Sequence, residues 1–184
     1  MSYAIIETTK GSMLAFLDDE RAPNTAGNFK GLATGSKTWT DPKTGKSSND
    51  PYYDGLSIHR VAPGFVIQGG CPEGTGRGGP GFHIDLEIHP ELRHDKAGVL
   101  SMARASDPNS AGSQFFVTLA ATPFLDDNYA VFGHVIDGLD VVDALGNTPV
   151  RGGGKDGPPA EALTINKVTI IEGSEEEARA QFGK

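Results

Sequence analysis

The sequence predicts an all-β-dominated fold, an antiparallel barrel or sandwich carrying two helices. Short apolar or alternating runs recur along the whole chain, each bounded by turn residues. Glycine and proline are abundant, at 25 and 12 of 184 residues, as a chain with many tight turns requires. Only two segments ahead of the C-terminal tail have the apolar spacing of a helix. The length is that of one domain, large enough to bury a core without staples.

Residues 3–9 and 12–17 are apolar runs split by Lys10-Gly11, the pattern of an opening hairpin. Pro23 stands in first-turn position ahead of Ala26, Phe29, Leu32 and Ala33, with Gly35 beyond them, which predicts a helix over 23–34. Residues 36–52 lack periodicity and are dense in Ser, Thr, Asp, Pro and Gly, so they read as a surface loop, with Trp39 available to pin it. Strands are expected at 56–61, 64–68 and 97–103, with a glycine-rich stretch over 69–81 after the second. Runs at 115–119, 130–135 and 163–171 complete the strand set, and 139–145 reads as the second helix. A single domain over 1–173 is expected to end in a short tail, 174–184. There Ser174 and Glu177 have the spacing of a capping box and predict a brief solvated helix.

A formal net charge of −8 argues against nucleic acid as a partner, because phosphate binding needs a clustered positive field. The single cysteine, Cys71, allows no intramolecular disulfide and reads as a small apolar filler. The first residues lack the basic segment and the roughly 7 to 15 apolar residues of a signal peptide. No run approaches the roughly 18 apolar residues of a membrane span. A cytoplasmic protein with no membrane partner is expected.

Four chemistries have some support in the residues. Gly74-Thr75-Gly76-Arg77-Gly78-Gly79 matches G-x-G-x-x-G, but Pro80 and Gly81 follow where a dinucleotide fold needs a helix. Gly152-Gly153-Gly154-Lys155 fails as a phosphate loop because Asp156 stands where Ser or Thr is required. His83, Asp85, Glu87 and His89 recur at spacing two and could share one face of a strand, which could hold zinc if a further ligand came from His94 or another loop; a solvated polar face explains the same residues. No G-x-S-x-G elbow is present, and Cys71 has no base beside it in sequence. The fourth is the segment 57–70, SIHRVAPGFVIQGG, which combines a cation, an apolar wall and a neutral amide. In a strand, His59 and Val61 face opposite to Arg60, and Phe65 and Gln68 can approach the arginine from the next strand. A lone surface arginine is commonly just solvated, so the residues alone leave both readings open.

This segment closely resembles the cyclophilin signature F-H-R-V-x-x-x-F-x-x-Q-G-G, with Ile58 where the family usually has Phe. A second family block is GVLSMARASDPNSAGSQFFVTL at 98–119 and a third is FLDDNYAVFGHV at 124–135, in the family's order and spacing. The resemblance covers residues 3–172. It implies a closed eight-stranded antiparallel barrel capped by two α-helices, with peptidyl-prolyl cis/trans isomerase activity on its outer face and no cofactor or metal. By the same resemblance Arg60 is the catalytic arginine, Phe65, Val66, Phe116 and Leu125 line a proline pocket, and Gln68 binds substrate backbone. His59, Ala103, Arg104, Gln114, Phe124 and Tyr129 fall on the remaining substrate-binding positions.

The implied partners of this monomer are proline-containing peptides and unfolded or folding proteins. Val66 stands where Met is usual, Arg104 where Asn is usual, Phe124 where many members have Trp and Tyr129 where many have His. The first two changes are expected to shift sequence preference more than activity. Cyclosporin, which inhibits many cyclophilins from this pocket, is expected to bind weakly, because the Trp of other members donates a hydrogen bond to it and Phe124 has no donor. The competing readings are a proline-segment binding module or chaperone without catalysis, and a metal-dependent hydrolase built on the histidines.

Overall fold

In the computed structural model, which describes residues 1–184, β1 (Ser2–Thr8) and β2 (Gly11–Leu17) form the expected hairpin, in continuous register from Ser2↔Leu17 to Thr8↔Gly11. Six more strands join them: β5 (Arg60–Ala62), β6 (Val66–Gly69), β7 (Val99–Met102), β8 (Phe115–Thr118), β9 (Val131–Asp137) and β10 (Ile165–Glu172). The eight make one antiparallel sheet in the order β10-β1-β2-β9-β7-β8-β6-β5. Register shifts at Glu7/Thr8, Leu14/Ala15 and Leu100/Ser101 are irregularities of the bulge kind, which bend strands and help a sheet curl.

The expected closed barrel is not what forms. The sheet is a curled half-barrel whose edge strands, β5 and β10, share no ladder. The segment ahead of β5 meets the start of β10 through separate backbone bonds that make no ladder: Gly55 to the Ile165 carbonyl (2.8 Å), Ile58 to the Leu163 carbonyl (2.9 Å) and Ile165 to the Leu56 carbonyl (2.7 Å). The cause is local. The expected strand at 56–61 shrinks to three residues, and the outer edge of Val61 is occupied by Gly157, which exchanges both backbone bonds with it at 2.8 and 3.2 Å. A loop therefore covers this edge, one of the ordinary ways to protect an unpaired strand.

Helices α1 (Pro23–Thr34) and α2 (Leu139–Gly146) fall at the expected positions. Ala26, Phe29, Leu32 and Ala33 of α1 and Val141, Val142 and Leu145 of α2 enter the same core as the sheet's inner face. No side chain of α1's own caps its start. Glu87 does so from across the chain, accepting from the backbone N–H of Thr25 (2.8 Å) and Asn24 (3.2 Å), where a carboxylate also meets the positive end of the helix dipole. At the other end Gly35 has φ 81°, and a Cβ there would lie 2.0 Å from the Asn49 carbonyl oxygen, so only glycine fits.

The loop at 36–52 contains a two-stranded hairpin, β3 (Trp39–Thr40) with β4 (Ser47–Ser48). Trp39 pins it as expected: its indole N–H donates to the Asp50 carbonyl at 2.9 Å and its ring meets Tyr52 edge-on. A third helix, α3 (Glu175–Phe182), has the capping box that Ser174 and Glu177 predict. It differs from expectation in not being fully solvated. Ala178 is buried, with Phe182 one turn on, against Tyr3, Ile5, Leu14 and Ile171 on the outside of the sheet. An Ala and a Phe at spacing four supply enough apolar surface to dock a short helix.

Candidate active site

Strand pleating sorts the residues of β5, β6 and β8 into two sets. Val61, Ile67, Phe115 and Val117 point into the main core. Ala62, Val66 and Phe116 point the other way and, with Leu125, form a separate small cluster on the outer face, against which Phe65, Ala103 and Tyr129 pack. Register brings the polar groups alongside: Arg60 pairs with Gln68, and Gln68 with Phe116. The result is a cleft of about 260 Å³ lined by Arg60, Phe65, Val66, Gln68, Ala103, Arg104, Phe116, Leu125 and Tyr129.

The floor is Phe116. Behind it His94 lies flat against the ring, centroids 5.9 Å apart, and Tyr129 meets it edge-on at 6.0 Å. His94 is wholly buried. Its Nδ1 lies 2.8 Å from Asp126 Oδ1 and its Nε2 2.9 Å from Ser101 Oγ. Burial pushes its pKa below the ordinary histidine value in spite of the carboxylate. A neutral ring then donates to Asp126 and accepts from the Ser101 hydroxyl. The order Ser, His, Asp is that of a hydrolase triad, but His94 and Ser101 have no exposed surface, so no substrate carbonyl reaches the hydroxyl. The trio supports the floor.

At the lip of the cleft, Arg60 is held from two sides. Asp156 accepts from its Nε (2.8 Å) and Nη2 (2.7 Å), and Gln68 Oε1 accepts from Nη1 at 3.0 Å. The hydrogen bond with Asp156 raises the Arg60 pKa, and the same bond lowers that of Asp156. The guanidinium also lies 5.9 Å from the centre of the Phe65 ring. Gln68 Nε2 donates to Gln114 Oε1 (3.1 Å), and Gln114 donates in turn to the carbonyls of Gly76 and Gly78.

Two expected residues border the cleft without lining it. Gln114 lines a neighbouring hollow of about 270 Å³, shared with Arg77, His83 and Arg104. Phe124 is 69% exposed and stacks on Phe65 at 5.6 Å, making the rim. Arg104 stands between the two hollows, folded over the Tyr129 ring at 4.6 Å and tied to the Asn128 carbonyl. His59 is not brought into the cleft. As the neighbour of Arg60 along an extended chain it points away, into a different hollow with Ser57, Arg151 and Pro158. Sequence reasoning gave no role to Asp156, which is 96 positions from Arg60, nor to the His94, Ser101 and Asp126 support. No local pattern signals either, since both arise from tertiary pairing.

The residues considered for metal or nucleotide chemistry are used otherwise. No three His, Cys, Asp or Glu side chains converge on a metal-sized site. The segment 83–89 is irregular rather than a strand, with Glu87 spent on α1. The G-x-G-x-x-G run opens no helix and instead folds around buried Cys71, with Gly76 N–H donating to its Sγ at 3.3 Å.

The family described as cyclophilin type peptidyl-prolyl cis-trans isomerase/CLD matches residues 3–170 of this chain. The chain belongs to the cyclophilins. It is 42% identical over 169 residues to peptidyl-prolyl cis-trans isomerase A of Mycobacterium tuberculosis, covering 91% of each chain. A peptidyl-prolyl cis-trans isomerase of Schizosaccharomyces pombe is likewise 42% identical over 174 residues, which is 93% of this chain and all of that one. Among solved structures, a Cryptosporidium parvum cyclophilin crystallised in the presence of the dipeptide Ala-Pro superposes with a TM-score of 0.79 at 34% identity, covering 93% of this chain and 99% of that one. The cyclophilin fold thus accounts for the curled eight-stranded antiparallel sheet and the helices packed on it. No helix of this cyclophilin is long and apolar enough to cross a membrane.

Proposed function

We propose that the chain is a peptidyl-prolyl cis/trans isomerase that turns X-Pro bonds in proline-containing peptides and folding polypeptides, with Arg60 as its catalytic residue. One observation carries the reading: an oriented guanidinium at the lip of an apolar cleft sized for a small ring. Rotation about an X-Pro bond is opposed by roughly 18 to 20 kcal/mol, because the amide nitrogen shares its lone pair with the carbonyl. When the bond twists, that lone pair localises on nitrogen. An N–H donor aimed at it binds the twisted state better than either planar isomer, and so lowers the barrier.

Phe116, Val66 and Leu125 grip the pyrrolidine ring, Phe65 and Tyr129 flank it, and Gln68 holds substrate backbone with the N–H it has not given to Gln114. The fixed ring lets the carbonyl side rotate. No nucleophile and no cofactor enters this scheme. A module that only held proline segments would have no use for a guanidinium clamped in one plane. The relatives named as isomerases, and the relative studied with Ala-Pro, support the substrate class. The cleft is complete within one chain, which supports action as a monomer, and a single buried thiol suits the reducing cytoplasm. The uncatalysed event takes tens to hundreds of seconds, long enough for an isomerase to assist folding.

The deciding measurement is NMR exchange spectroscopy on an Ala-Pro peptide with catalytic amounts of protein. Cross-peaks between cis and trans resonances are expected. Their absence at saturating peptide would leave a binding module as the better reading.

Cyclosporin supplies a second test. Phe124 offers an exposed apolar ring and no donor. An inhibitor carbonyl left unpaired at this rim costs about 1 to 3 kcal/mol, so affinity is expected to be about ten to a hundred times lower than in Trp-bearing relatives. Phe124→Trp is expected to recover at least several fold of it by isothermal titration. Unchanged affinity in that variant would shift the cause to Arg104 or Tyr129.

A further inference from the structure

The partner of Arg60 comes from an unlikely segment. Asp156 lies two residues beyond a run of three glycines, two of which, Gly152 and Gly153, sit at φ 77°, and glycine, without a Cβ, gives the chain little stiffness of its own. The segment is tied down at its ends instead. Val61 and Gly157 exchange two backbone bonds, Arg151 donates to the Pro158 carbonyl at 2.8 Å, and Ala160 donates to the Pro149 carbonyl at 2.7 Å. The bonds to Val61 join the residue after Asp156 to the residue after Arg60. In an antiparallel pairing this places Arg60 and Asp156 diagonally on one face, within reach of a long side chain.

A guanidinium carries five N–H donors in one rigid plane. Asp156 takes two and Gln68 takes one, leaving one on each terminal nitrogen for whatever occupies the cleft. Resting on the isomerase reading above, we propose that Asp156 is a positioning residue for Arg60. Its bidentate ion pair fixes the guanidinium plane so that the two remaining donors face the proline cleft.

Stability is not the purpose of the pair. The Arg60 and Asp156 side chains are 33% and 50% exposed, and pairs this open contribute little to folding. What a two-point carboxylate contact supplies is direction. Two effects oppose each other when it is removed. The arginine regains its full positive charge, which favours the localised lone pair, but it also regains rotational freedom. Donors act on a transition state through prior orientation, and a misplacement of about 1 Å can cost about a hundredfold. Orientation therefore outweighs the charge.

Asp156→Ala is expected to lower kcat by about tenfold to a hundredfold with KM little changed, because the apolar cleft still binds the ring. Asp156→Asn, which keeps the shape and one acceptor but turns an N–H toward the guanidinium, is expected to fall between the two. The ¹⁵Nε–H signal of Arg60 is expected to be protected from solvent exchange in the natural protein and exposed in Asp156→Ala, a change that a general loosening of the fold would not confine to one side chain. In an Arg60→Ala background, removing Asp156 is expected to cost nothing more.

If Arg60→Ala lowers turnover by about a hundredfold or more while Asp156→Ala matches or exceeds the natural rate, the isomerase reading stands and the positioning assignment is overturned. If Arg60→Ala itself turns over normally, the underlying reading fails and takes the assignment with it. An equal loss from Asp156→Ala with and without Arg60 overturns the assignment too, since Asp156 then acts on the fold. Should the alanine variant fail to give a folded spectrum, the asparagine variant decides by the same comparisons.

Discussion

Arg60→Ala is expected to lower kcat/KM on an Ala-Pro peptide by at least about a hundredfold while leaving the melting temperature within a few degrees. A preorganised electrostatic donor is commonly worth about 2.7 to 4 kcal/mol to a transition state. The fold loses little, because Arg60 sits on the outer face of β5, and its neighbour Val61, not Arg60, enters the core. The carboxylate of Asp156 left behind is half in water and can hydrate. Residual catalysis is expected, since Phe116 and its surroundings still grip the ring. A protease-free NMR rate measurement paired with a thermal melt separates the two effects, and near-normal turnover in the folded variant would remove Arg60 from the mechanism.

Phe29→Ala is expected to have the largest effect on stability. The ring has no exposed surface, and its centroid lies 4.9, 5.5 and 5.2 Å from those of Tyr53, Phe115 and Phe132. Deleting a buried phenylalanine costs about 3 to 5 kcal/mol, part of it transfer free energy and part the cavity left behind. Aromatic neighbours on three sides are too rigid to collapse into the hole. At about 2 to 4 °C per kcal/mol for a domain of this size, the melting temperature is expected to fall by roughly 6 to 20 °C. Denaturant titration at constant m-value measures it directly. A loss under about 1 kcal/mol would mean that α1 is held by its other contacts and that Phe29 fills space without anchoring it.

Local pattern was enough to place the hairpin 3–17, the helix 23–34 and the capping box at Ser174, because in each case the information lies within a few residues of the element it specifies. The outer-face cleft was legible for a related reason. Once 57–70 is read as two short strands, pleating puts Arg60 and Gln68 together, and the family resemblance supplies Phe116 and Leu125 from farther along. What escaped depends on distant pairing. The openness of the sheet follows from Gly157 taking the edge of Val61. The docking of α3 follows from Ala178 and Phe182 meeting the outside of β1 and β2. The partner of Arg60 comes from a glycine run whose composition announces only flexibility. His59, just ahead of β5, lines a separate hollow with Ser57 and Arg151 rather than the cleft beside Arg60.

The edge where the sheet fails to close is covered by the segment that carries Asp156, and this joins two properties that are usually separate. Proteins open in pieces, each with its own free energy, and the weakest pieces are those held by few backbone bonds and little apolar burial. Here residues 151–157 are such a piece: 151–156 are exposed, glycines run through them, and two bonds from Gly157 to Val61 fasten the end that carries Asp156. Its opening is expected to leave the aromatic core around Phe29 in place and, on the positioning assignment above, to free the guanidinium. Molecules with this segment open are expected to keep the spectroscopic signature of the core and to turn over about tenfold to a hundredfold more slowly, as Asp156→Ala is, so the active fraction follows a sub-global equilibrium rather than global unfolding. For this chain, thermal inactivation is expected to precede melting, with two distinct midpoints.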